Sequence, residues 1–169
     1  ASVQRGNPEM QRRAQQVIDA CWARGLSPGS DNPILIIHDV GAGGLSNAVP
    51  ELIDHSHRGG SVEIREIPNA EPAMSPAGIW CNEAQERYVL ALDPRDLAWF
   101  REVCQRERCP YAVIGSTDDT GRLLVTDRLR GEPPVDIPLE TLFGRPPRTV
   151  MRIRRASRPA VAEVFSGIE

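Results

Sequence analysis

The residues best suited to chemistry gather in two short stretches. The first is His38-Asp39-Val40-Gly41-Ala42-Gly43-Gly44-Leu45, where one carboxylate is followed by three closely spaced glycines. A carboxylate at a strand end can hold a hard cation, while turn amides and the positive end of a helix dipole favour an anion. Gly41, Gly43 and Gly44 lack Cβ atoms, so the backbone there can take positive φ and be approached closely. The combination suits a metal–phosphate ligand. Glycine turns between strand and helix also occur without any ligand, and Asp39 alone would serve as an acceptor for nearby turn amides. The run matches neither G-x-x-x-x-G-K-[ST] nor G-x-G-x-x-G, so it is no ordinary phosphate loop or dinucleotide fingerprint.

The second stretch is Asn82-Glu83-Ala84-Gln85-Glu86-Arg87, set between the apolar pair Ile79-Trp80 and the strand-like Tyr88-Val89-Leu90-Ala91-Leu92. It reads either as a site segment at a strand entrance or as an exposed edge carrying Glu–Arg pairs. His55 and His57 fall in a glycine-flanked turn and read as solvated. Cys21, Cys81, Cys104 and Cys109 have no C-x-x-C spacing, so no zinc site is expected.

The elements that must position these groups follow from patterning. Ile34 to Ile37, after Pro33, read as a buried strand ending at His38-Asp39. Leu45, Val49, Leu52 and Ile53 then recur at helical spacing, with Ser46 or Asn47 as cap. Upstream, Asn7-Pro8-Glu9 starts a helix whose stripe is Met10, Ala14, Val17, Ile18 and Cys21 or Trp22, ended by Gly25. Ser61 to Ile67 alternate as a strand with one wet face, and residues 69–78 form a proline-rich loop. Asp93 to Asp96 cap a helix with Leu97, Phe100, Val103 and Cys104 on its apolar face. Tyr111–Gly115 and Leu123–Asp127 read as a β-hairpin around Asp118-Asp119-Thr120-Gly121, followed by a short helical segment ending at Gly144.

Composition bounds the rest. The 169 residues suit one domain with or without an extension, and 40% hydrophobic with 25% charged residues is ordinary for a globular protein. No apolar run approaches membrane-spanning length and no signal peptide is visible, so a cytoplasmic protein without a membrane partner is expected. Every cationic side chain other than histidine is arginine, which looks like compositional bias and does not identify a nucleic-acid binder; none is expected as partner. Residues 145–169 carry six arginines against two glutamates, a net +4, leaving −7 on the body for a total of −3. That tail lacks sustained apolar periodicity and reads as a linker, with Val161, Val164 and Phe165 able to form one helical turn. The start, Ala1-Ser2-Val3-Gln4-Arg5, reads as the end of a strand entered from something earlier, so a piece of a larger protein is expected.

Four stretches together resemble one family: residues 2–13, residues 38–48, Met74-Ser75-Pro76, and Ile79 to Tyr88. The chain resembles the phosphoribosylformylglycinamidine synthases, in their long single-chain bacterial form. The resemblance covers residues 1–148 as a C-terminal-type domain of the aminoimidazole ribonucleotide synthetase superfamily, from the first synthase half, with 149–169 as a linker or tail toward the next. It implies an α+β fold, a three-layer α/β/α sandwich on a mixed sheet with partly ferredoxin-like topology. It also implies an ATP-dependent, glutamine-using amidoligase of purine biosynthesis. The expected partners are formylglycinamide ribonucleotide, an ATP-binding synthase domain that holds most of the ATP, and a glutaminase domain. By resemblance, Asp39 is a Mg2+ ligand. Gln4 binds the ribonucleotide, and Glu83, Ala84 and Gln85 contact substrate together with Gly41, Gly43 and Gly44. Relatives often carry Ser at position 84, but a contact through backbone amides survives that change. No catalytic residue is assigned to this chain. Two rivals are another synthetase of the same superfamily and a non-catalytic module that packs beside the partner domain.

Overall fold

The computed structural model describes residues 7–145 and 147–154. Helix α1 (Pro8–Gly25) begins where the sequence places it, with the Asn7 side chain accepting from the Met10 amide at 3.1 Å. Its buried residues are Val17 and Cys21, whereas Trp22 is exposed, which decides the stripe in favour of Cys21. Strand β1 (Ile34–Asp39) follows, but it is not buried on both faces. Leu35 and Ile37 face outward, because they alternate with Ile36, which packs on the core, onto the less covered face of the two-stranded antiparallel ribbon that β1 forms with β3 (Tyr88–Leu92).

Helix α2 (Leu45–His55) buries Leu45, Ala48, Val49, Leu52 and Ile53. Its cap differs from expectation: Gly44 is the N-cap, and Ser46 donates its hydroxyl back to the Gly43 carbonyl at 2.6 Å. Gly44 takes the N-cap position at φ 64°, which starts the helix before Ser46 can cap it. Strand β2 (Gly59–Glu63) stops short of the expected Ile67. The Glu63 carboxylate accepts from the Arg65 amide and turns the chain into a 3-10 turn at Ile64–Glu66. Arg65 then reaches the buried Asp127 through two hydrogen bonds of 2.9 and 2.7 Å and donates to the Met74 carbonyl.

Within the proline-rich stretch a short helix α3 (Pro76–Trp80) forms, with Ser75 accepting from Gly78 at 3.1 Å. Helix α4 (Leu97–Arg106) buries Phe100, Val103 and Cys104 after a 3-10 turn capped by Asp93. The expected hairpin does not form. Strand β4 (Gly115–Asp118) lies C-terminal to the expected Tyr111–Gly115, and β2 inserts between it and β5 (Arg122–Thr126), antiparallel to β4 and parallel to β5. Gly115 permits this approach, since a Cβ there would stand 1.9 Å from the Ser61 carbonyl oxygen. Strand β6 (Val135–Pro138) completes the mixed sheet β4-β2-β5-β6, and α5 (Leu139–Leu142) closes the fold.

The α+β architecture with a mixed sheet agrees with expectation, with the strands divided between two ladders. Two apolar clusters hold them. Val17, Cys21, Phe100, Val103 and Cys104 join α1 and α4 to Ile34, Leu90 and Leu92 on one side of the ribbon. On the other side α2 shares a core with Val40 and Val89 and with Val62, Leu123 and Val125 of the four-stranded sheet. Burial of each large side chain in these clusters contributes about 1.5–3 kcal/mol. The ribbon's end, where β1 runs out into the glycine turn and β3 begins, is therefore held from the α2 side, through Val40 and Val89, while Ile37 and Tyr88 stay exposed. Residues 147–154 are irregular, with Val150, Met151 and Ile153 exposed; the possible helical turn at 161–165 lies outside the described residues.

Candidate functional site

The two chemistry-bearing stretches meet at that end of the ribbon. Asp39 lies opposite Tyr88 in the ladder, and the Val40 amide donates to the Arg87 carbonyl at 3.0 Å. The glycine turn then folds against residues 82–83. Gly43 donates its amide to the Glu83 carboxylate at 2.8 Å, across 40 residues of sequence. Gly44, at φ 64° and ψ −141°, passes directly beneath the Asn82 peptide, and a Cβ there would lie 2.2 Å from the Asn82 oxygen. Gly43 is also left-handed at φ 79°. Of the two properties expected of these glycines, positive φ is thus required at both Gly43 and Gly44, and close approach at Gly44. At Gly41 a Cβ would meet only the Asp39 carboxylate, at 3.8 Å.

The structure brings Asp39, Gly41, Gly43, Gly44, Glu83, Ala84 and Gln85 to one junction. Gln4 lies outside the described residues; Asn7, which follows it, donates its amide to the Glu86 carboxylate at 3.4 Å. Glu86 sits at φ 59°, a left-handed conformation that non-glycine residues hold only when surrounding contacts fix it. Two of the turn amides are used inside the protein, Gly43 by Glu83 and Gly44 by the Gly41 carbonyl at 3.0 Å. A ligand oxygen that sought the Gly43 amide would compete with the Glu83 carboxylate.

Sequence reasoning placed His38, Asn82 and Arg87 in the two stretches but gave none of the three its own role, and all three organise the junction. His38 spans β1 and α2: its Nε2 meets the Glu51 carboxylate at 2.5 Å and its Nδ1 meets the Asp39 carbonyl at 2.8 Å. The Asp39 carbonyl, and then the Glu51 charge, raise the His38 pKa against the opposing effect of burial. Asn82 accepts from the Ala84 amide at 2.8 Å through its side chain. Arg87 donates from Nε to the Ala84 carbonyl at 2.7 Å and from Nη2 to the Asn82 carbonyl. Burial lowers its guanidinium pKa. An arginine ending a polar run was the available signal for Arg87; the partners of His38 were not visible locally.

The charges decide what the junction can hold. Asp39, Glu51, Glu83 and Glu86 outnumber His38 and Arg87, so an anionic ligand needs a cation to bridge it to this surface. The Asp39 side chain is 78% exposed and free of the tight carboxylate-binding contacts that Asp127 makes. Among the described residues no three His, Cys, Asp or Glu side chains group to hold a metal ion. Magnesium is commonly bound through one or two carboxylates and completed by water and ligand oxygens, and Asp39 offers one such exposed carboxylate.

An α+β chain of this order belongs to a known class. The sequence matches the family described as AIR synthase related protein, C-terminal domain, over residues 1–128, and the chain belongs to that family. Among solved structures it is similar to Thermotoga maritima PurL complexed with FGAR, with a TM-score of 0.76 and 21% identity, covering 94% of this chain and 25% of that one. It is also similar to phosphoribosylformylglycinamidine synthase II of Thermotoga maritima, at TM-score 0.75 and 21% identity, covering 92% and 25% of the two chains. Thermotoga maritima PurL complexed with ATP gives the same TM-score and identity, with coverage of 92% and 25%. The shared feature is the fold, and the chain spans about a quarter of the length of these relatives. Among the described residues no helix is long and apolar enough to cross a membrane.

Proposed function

We propose that this chain is the C-terminal-type domain of the first synthase half of a phosphoribosylformylglycinamidine synthase. Residues 1–148 form the domain, and residues 149–169 lead toward the next half. The whole enzyme converts formylglycinamide ribonucleotide, ATP and glutamine to the amidine in purine biosynthesis, in the cytoplasm. ATP is held mainly by the preceding synthase domain, and a glutaminase domain releases ammonia. The observation that carries this reading is the junction of the Asp39 turn with residues 82–87 on a chain of the AIR synthase-related family.

The contribution of this domain follows from its geometry. Asp39 offers an exposed carboxylate at the rim of the turn that would hold magnesium, whose charge would offset the repulsion between this acidic surface and a phosphorylated substrate. Glu83 keeps one oxygen on the Gly43 amide, which fixes the carboxylate and leaves its second oxygen for substrate. Gln85 offers its side-chain amide from the same segment, whereas a substrate contact through the Ala84 backbone would have to share groups already held by Asn82 and Arg87, and Gly41 leaves room beside Asp39; Gln4 is the further substrate contact of the proposal. The fold supplies orientation; the reacting groups of ATP and ammonia come from elsewhere.

The Glu83–Gly43 hydrogen bond equally suits a module that only packs and never touches substrate. Glu83→Gln in the full-length enzyme separates the two, because glutamine still accepts from Gly43 but carries no charge. The substrate-binding reading expects an unchanged melting temperature with at least about a tenfold rise in KM for formylglycinamide ribonucleotide. Unchanged kinetics would leave the packing module.

A further inference from the structure

The 82–87 segment is organised by a cation that has no acidic partner among the described residues. Arg87 gives its Nε to the Ala84 carbonyl and its Nη2 to the Asn82 carbonyl, the two carbonyls that flank Glu83. Its own carbonyl accepts from Val40, at the start of the glycine turn. Asn82 ties the same loop from within by accepting the Ala84 amide. Glu83 is thereby fixed on both sides of its backbone while its carboxylate reaches Gly43.

A guanidinium partly withdrawn from water onto two neutral carbonyls is a costly way to stabilise a loop, and burial accordingly disfavours its charge. Its planar fork, however, can satisfy two carbonyls held at a fixed separation, which an ammonium cannot do in the same geometry. We propose that Arg87 is a positioning residue: its guanidinium clamps the Asn82 and Ala84 carbonyls so that Glu83 is held against Gly43 in the arrangement that receives substrate. It acts through Glu83 and does not touch the reacting atoms. The substrate half of this inference rests on the function proposed above, whereas the clamping half does not.

The test uses the full-length enzyme and its Arg87→Lys and Arg87→Met variants, each with its melting temperature recorded. Hydrogen exchange without ligand reads the clamp: peptides covering residues 40–45 and 82–87 should lose about tenfold or more protection in both variants. Steady-state kinetics read the consequence: KM for formylglycinamide ribonucleotide should rise about tenfold or more in both, with kcat and the KM for ATP changed by less than about threefold. If Arg87 instead pairs directly with an anionic substrate group, lysine retains near-normal KM and exchange is unaltered, which overturns the proposal. Faster exchange with unchanged KM overturns it too, leaving a merely structural clamp. Failure of the wild-type enzyme to bind formylglycinamide ribonucleotide in calorimetry would refute the functional reading and the substrate half together. Unchanged exchange in the variants would refute the clamp whatever the substrate.

Discussion

Replacing Gly44 by alanine should unlock the junction, and the coordinates fix how much that costs. The new Cβ would stand 2.2 Å from the Asn82 oxygen, 2.7 Å from its carbon and 2.9 Å from the Cys81 carbonyl carbon, all backbone atoms. The Asn82 peptide must retreat by about 1 Å to reach ordinary contact, and Glu83 moves with it, away from the Gly43 amide that it meets at 2.8 Å. Holding a non-glycine residue at φ 64°, ψ −141° adds about 1–3 kcal/mol. Loss of a hydrogen bond to a charged acceptor adds about 1.5–3 kcal/mol. The sum, about 2.5–6 kcal/mol, corresponds to a fall in melting temperature of roughly 5–24 °C for a domain of this size. Two companion variants calibrate it. Gly43→Ala meets only side-chain atoms, the nearest at 3.3 Å, and should cost the left-handed strain alone, about 1–2 kcal/mol. Gly41→Ala should stay within about 0.5 kcal/mol. Urea denaturation of the three variants decides the matter. Equal losses at all three positions, or a Gly44→Ala variant as stable as Gly41→Ala, would refute the close packing of turn and loop.

Other outcomes follow from single contacts. Asn7→Ala should cost about 1 kcal/mol by removing the acceptor of the Met10 amide, measurable by denaturation. Arg65 holds the Asp127 carboxyl down at about 2, against an ordinary 3.8. The stability from that depression is present above the ordinary value and lost as pH falls through about 2, so the difference between wild type and Asp127→Asn should shrink between pH ~5 and pH ~2. Among the cysteines, exposed Cys81 should react first with a thiol reagent, since burial pushes Cys21 up to about 11 and Cys104 up to about 12.

What could be read in advance was what local chemistry decides. The Asn7-Pro8 start, the stretch Tyr88–Leu92 and the strand–acid–glycine order all express constraints within a few residues, and they appear as expected. Pairings between distant segments were not legible. The Tyr111 to Asp127 region has every local sign of a hairpin, yet β2 enters between its arms from more than 50 residues earlier. The Ser46 cap failed because Gly44's backbone, shaped by Asn82, already starts the helix. The outward Leu35 and Ile37 read as buried because a run of apolar residues does not reveal that only one face of its strand is well covered by the core. At the site, the two stretches could be named separately, but the Glu83–Gly43 contact that joins them depends on the folded chain.

The central claim is that Asp39 links magnesium to substrate at this junction. Its side chain is mostly exposed, so Asp39→Asn should leave the melting temperature of the full-length enzyme unchanged. Titration calorimetry of formylglycinamide ribonucleotide, with and without magnesium, then measures the linkage directly. The account predicts that magnesium tightens binding to the wild type by about tenfold or more and that Asp39→Asn abolishes the gain. An equal magnesium effect in wild type and Asp39→Asn would contradict it.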